Sequence, residues 1–137
     1  MTRTPAVPGG TLVLDSEGLA GAVRRDRTVT AWLALARADD LRVITSAATL
    51  VEVIHLRINR PALEWTVSRI VVEPVTADIA RAAASLLAEA NRHGHQHAID
   101  AMLSATALAA PGPVTVLTSD PADLIAICGG RVTVVDL

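Results

Sequence analysis

Four acidic residues in this 137-residue chain stand in settings where a carboxylate is unusual. Asp15 closes the apolar run Thr11–Asp15 (TLVLD), and Asp120 follows the run VTVLT by two positions. Glu52 interrupts an apolar stretch, with Leu50, Val51, Val53 and Ile54 around it, and Asp100 does the same within AIDAMLSATAL. A carboxylate on a mostly buried surface is unfavourable unless it is paired, hydrogen-bonded or bound to a cation. No lysine is available to pair them, because all 12 basic residues are arginine. Two acids at strand ends and two in apolar helices therefore point to a shared cation. Ligation by oxygen alone favours a hard ion, Mg²⁺ or Mn²⁺.

Each acid also has a purely structural explanation. Thr49-x-x-Glu52 fits a helix capping box. Asp120 before Pro121 fits an N-cap with proline at the first helical position, and Asp123 is then a favourable first-turn charge. Asp15 can cap the helix that follows it, and Asp100 lies near a helix start. Among the remaining polar groups, His93, His95 and His97 alternate in NRHGHQHAID. Gly94 marks a turn there, so the run is expected to be a solvated connection rather than a zinc site. His55, one turn from Glu52, can either approach the acids or pack at a helix end. Arg57 and Arg60 follow the Glu52 segment and are candidates for phosphate contacts, with surface solubility as the alternative. Arg24, Arg25 and Arg27 suit a solvated surface better. Trp32, beside Leu33 and Leu35, suits a core or a partner surface.

Composition excludes several classes of function. Without lysine there is neither a Walker A phosphate loop nor Schiff-base chemistry. Phe and Tyr are absent, which argues against the aromatic platforms of RNA-recognition motifs. A net charge of −2 is not that of a protein that binds nucleic acid through bulk positive charge. The single cysteine, Cys128, rules out an intrachain disulfide framework and a cysteine-based zinc site, so a cytoplasmic setting is expected. No apolar run reaches the roughly 18 residues of a membrane span.

Short β-branched runs alternate with helical ones along the chain. Strands are expected at Thr11–Asp15, Arg42–Thr45, Arg69–Glu73, Val114–Thr118 and Arg131–Val135. Helices are expected at Leu19–Val23, Val29–Ala38, Ala47–Leu56, Pro61–Val67, Ala77–Asn91, His97–Ala109 and Pro121–Cys128. The strands lack alternation of apolar and polar residues, as doubly buried strands do. This predicts a single α/β domain over residues 11–137, with a mostly parallel sheet of about five strands flanked by helices on both faces. Residues 1–10, with two prolines and two glycines, are expected to be a flexible tail. In such sheets ligands bind beyond the carboxyl ends of the strands, which is where Asp15 and Asp120 fall.

The runs LVLDSEGL, TLVEVIHL, HAIDAMLSATAL and VLTSDPADL resemble, in order and spacing, the four blocks of PIN-domain nucleases. The resemblance covers nearly the whole chain after the tail. It implies that Asp15, Glu52, Asp100 and Asp120 form the catalytic, metal-binding quartet, with Asp123 a fifth metal-binding acid and Thr118 or Ser119 a supporting hydroxyl. Glu17 is an extra acid in this chain. The small size is similar to the VapC-like toxin branch, which implies a metal-dependent endoribonuclease, a homodimer and a cognate antitoxin partner. A PIN-like nuclease acting on DNA or in RNA processing, and a catalytically silent PIN-fold binding module, are the competing expectations.

Overall fold

A computed structural model describes residues 9–137. The first eight residues of the expected tail lie outside the described residues. Five strands, β1 (Thr11–Leu14), β2 (Arg42–Ser46), β3 (Val71–Glu73), β4 (Val114–Thr118) and β5 (Thr133–Asp136), form one sheet in the order β3-β2-β1-β4-β5. Every neighbouring pair is parallel. Seven helices connect them: α1 (Ser16–Val23), α2 (Arg27–Ala38), α3 (Thr49–Val53), α4 (Arg60–Ser68), α5 (Ala77–Ala90), α6 (Gly94–Ala109) and α7 (Pro121–Cys128). Among the described residues, no helix is long and apolar enough to cross a membrane.

The central strand explains the missing alternation in the sequence. All four residues of β1 are buried. On one face Val13 joins Ile44 and Val116 beneath Leu103, Ala107, Leu124 and Cys128 of α6 and α7. On the other, Leu12 and Leu14 join Leu117 beneath Ala22, Val29 and Ala36 of α1 and α2. A strand covered on both faces has no side to leave polar. Gly10 leads into it with φ +103°, and a Cβ there would overlap the carbonyl oxygen of Pro113. Its own carbonyl accepts from the Arg42 amide at 3.1 Å, which ties Gly10 to β2.

Several boundaries differ from expectation for local reasons. Asp26 accepts from the Val29 amide and starts α2 two residues early. The helix expected over Ala47–Leu56 is only Thr49–Val53, because Ile54 turns extended (ψ 109°). Val53 and Leu50 pack against Leu19 and Leu63, but Val51 is 77% exposed and Leu56 fully so. A short helix persists only as far as packing supports it, and here that support ends after one turn and a half. At the other extreme α6 begins at Gly94, three residues before the expected start, with His93 as its N-cap.

Burial assigns the stability to the two sheet faces. Leu103→Ala, beneath the sheet, is expected to cost about 2–5 kcal/mol in chemical denaturation. Leu56→Ala is expected to change stability by no more than about 0.5 kcal/mol. Equal effects at the two positions would contradict the placement of the core.

Candidate metal centre

β1, β2 and β4 run parallel, so the segments that leave their carboxyl ends emerge side by side. Asp15 follows β1 directly and is the N-cap of α1. One of its oxygens accepts from the Gly18 amide at 2.7 Å and the other from the Ser119 amide at 3.3 Å, across 104 residues of chain. The buried Thr118 hydroxyl also bonds to this carboxylate, and it accepts from the Asp120 amide at 2.9 Å. At Gly18 a Cβ would stand 3.5 Å from the Asp15 carboxylate and 3.3 Å from Leu14, so glycine lets the first turn of α1 close on the strand end. A buried chain of hydroxyls fixes the β2 side. Thr45 donates to the Leu14 carbonyl at 2.6 Å and lies 2.9 Å from the Thr49 hydroxyl, which donates to the Ser46 carbonyl at 2.8 Å. That geometry carries Glu52 on α3 toward α1, where Ser16 donates to it at 2.5 Å.

The result is an open cleft of about 590 Å³ lined by Asp15, Glu52, Asp100, Asp120, Asp123 and Ser119, together with Glu17. Thr118 lies buried beneath them. The structural explanations for these acids can now be decided one at a time. Asp15 does cap a helix and still faces the cleft. The Thr49–Glu52 capping box does not form, since Ala48 occupies the cap position without a side-chain bond. Asp120 stands at the N-cap of α7 but makes no capping bond. Glu52 is exposed rather than buried, so the sequence argument from its apolar neighbours does not hold at this position. Those neighbours belong to a helix that ends at once.

Arg57 and Arg60 are not among the residues lining the cleft, and Arg60 lies 3.9 Å from Glu64. Arg24, at the end of α1, lines it instead. His55 also lines the cleft. The histidine run is no loop. His93 caps α6, His95 is exposed in the first turn, and His97 enters the cleft with its Nδ1 3.7 Å from the Asp123 carboxylate. The clue available in the sequence was the spacing His97-x-x-Asp100, which sets the first residue of the expected helix His97–Ala109 one turn before Asp100.

The cleft is a concentration of like charge. Burial raises the Asp15 carboxyl, even against its three hydrogen bonds. Burial also raises Asp100, to about 6 from its usual 3.8, with further contributions from Asp120, Glu52, Asp123 and Asp15. Asp120 is raised first by its hydrogen bond with Asp123, then by burial and by the charge of Asp123. Carboxylates that raise one another in this way, with no lysine nearby, fit a divalent cation. The ligating atoms of His97, Asp100 and Asp123 lie within 4.8 Å of one another.

A carboxyl held higher in the folded than in the unfolded chain binds its proton preferentially in the folded state. Its favourable effect on metal-free stability is therefore present below about pH 3.8 and is lost as pH rises through about 6. Asp100→Asn removes the titration. Melting temperatures of the metal-free parent are expected to fall relative to this variant between pH 4 and 6.5. A constant difference over that range would contradict the electrostatics assigned to Asp100.

No family model and no curated protein matches the sequence. Solved structures do match its fold. VapBC2 from Rickettsia felis, bound to a DNA fragment from their promoter, aligns with TM-score 0.68 and 15% identity over 93% of this chain and 98% of that one. FitAcB from Neisseria gonorrhoeae aligns with TM-score 0.60 and 21% identity over 92% and 97%. FitAB bound to an IR36 DNA fragment aligns with TM-score 0.61 and 22% identity over 92% and 94%. At these identities the likeness is one of fold, the α/β fold with a five-stranded parallel sheet described above.

Proposed function

We propose that this chain is a metal-dependent endoribonuclease and the toxin of a toxin–antitoxin pair. The observation that carries the reading is the meeting of Asp15, Glu52, Asp100, Asp120 and Asp123 in one cleft at the carboxyl end of a parallel sheet. In this reading those five acids hold Mg²⁺ or Mn²⁺. The bound ion supplies Lewis-acid polarisation of a phosphate and a more acidic water for phosphodiester hydrolysis.

The chain's own residues prepare for this. The Gly18 and Ser119 amides and Thr118 fix Asp15, leaving it no rotational freedom to lose on binding. Ser16 plays the same part for Glu52. Asp123 raises the neighbouring Asp120 carboxyl, an effect that a bound cation would offset. Arg24, which lines the cleft, would meet a substrate phosphate in this reading. The partner assignments rest on the toxin-branch resemblance and on the fold shared with chains solved as VapBC2 and FitAB. Exposed apolar groups such as Trp65 and Leu35 suit a homodimer and a cognate antitoxin in the cytoplasm.

Asp15→Asn, Glu52→Gln, Asp100→Asn and Asp120→Asn are each expected to lower cleavage of an RNA oligonucleotide by about 100-fold or more. DNA of the same sequence should be left intact. Expression in bacteria should arrest growth, and co-expression of the antitoxin should restore it. Cleavage of DNA but not RNA would transfer the assignment to a DNA nuclease, and variants as active as the parent would refute catalysis at these acids.

A further inference from the structure

Two histidines, His55 and His97, line the cleft, and among the described residues it is His97 whose ring nitrogen lies within 4.8 Å of ligand atoms of two acids. Its backbone leaves helical geometry inside α6, at φ −125° and ψ 15°, while its amide still bonds to the His93 carbonyl at 3.0 Å. The side chain is half-buried, and Nδ1 faces one oxygen of Asp123 at 3.7 Å. Arg92 stands 3.7 Å from the other oxygen of Asp123. Asp100 lies three residues beyond His97 on α6, and the potential ligand atoms of His97, Asp100 and Asp123 all fall within 4.8 Å of one another. Small side-chain adjustments bring three such atoms onto a single ion with ordinary bond lengths of about 2.0–2.2 Å.

We propose that His97, Asp100 and Asp123 form a mixed nitrogen–oxygen cation site on the α6–α7 side of the cleft, selective for Mn²⁺ over Mg²⁺. The inference rests on reading the cleft as a cation site, and adds a ligand that the acidic quartet does not include. Oxygen donors alone discriminate poorly between the two ions. An imidazole nitrogen favours the first-row transition ion, because Mg²⁺ is hard and binds nitrogen reluctantly. If His97 were instead only a positive partner for Asp123, its removal would affect both ions alike.

The test is binding of Mn²⁺ and Mg²⁺ to the full chain without RNA, by calorimetry, for the parent, His97→Gln, His55→Gln and the exposed control His95→Gln. His97→Gln is expected to weaken Mn²⁺ by about tenfold while changing Mg²⁺ less than about twofold. His55→Gln and His95→Gln should leave the ratio unchanged. Pulsed electron paramagnetic resonance of bound Mn²⁺ should show coupling to a ligand ¹⁴N in the parent, in His55→Gln and in His95→Gln. It should be absent in His97→Gln. The parent spectrum decides the matter even if His97→Gln does not fold. Equal weakening of both ions, an unchanged ratio, or no ¹⁴N coupling in the parent would overturn the proposal while leaving the acidic cation site standing. Failure of the parent to bind either ion would overturn both.

Discussion

Mutual repulsion among carboxylates at one end of a parallel sheet is the constraint that every other feature of this chain must offset. Asp15, Glu52, Asp100, Asp120 and Asp123 arrive from five different places in the sequence and face one cleft. In water such groups would separate. Here they are held because each is attached to something that cannot move cheaply. Asp15 sits on a strand buried on both faces, Asp100 on a helix packed beneath the sheet, and Asp120 and Asp123 at the start of α7. Burial first, and then the proximity of the other acids, raise Asp100, and a bound cation would relieve both effects.

The sheet order makes this convergence possible. β1 lies between β2 and β4, so the segments after all three strands emerge side by side. Backbone amides and hydroxyls then join what the chain order separates. The Ser119 amide reaches Asp15 from the far side of β4, Thr45 ties β2 to the end of β1, and Ser16 ties α1 to Glu52. These bonds fix where the Asp15 and Glu52 carboxylates point.

Much of the fold was legible because buried parallel strands have a distinctive composition. Runs such as TLVLD and VTVLT read correctly, and so did the alternation of strand and helix. The four acids were legible together through the order of their blocks. What escaped was whatever depends on tertiary packing. Glu52 looked buried because its neighbours are apolar, but α3 ends where its packing ends, and Val51 and Leu56 are left in solvent. His97 looked like part of a loop because Gly94 usually marks one, whereas here glycine is the first residue of α6. Arg57 and Arg60 looked better placed for phosphate contacts than Arg24, yet Arg24 lines the cleft and they do not, because sequence order alone does not say which helix end faces it.

The most direct test of the central claim is the number of protons released when a divalent cation binds. Calorimetric titration of Mn²⁺ at pH 6, in two buffers of different ionisation enthalpy, reads that number without any substrate. With Asp100 raised to about 6, about half a proton is expected from that residue. At pH 8 the release should largely disappear while binding tightens. Binding heats that do not depend on the buffer at pH 6, or the absence of binding at either pH, would contradict the account of the cleft as a set of mutually repelling carboxylates awaiting a cation.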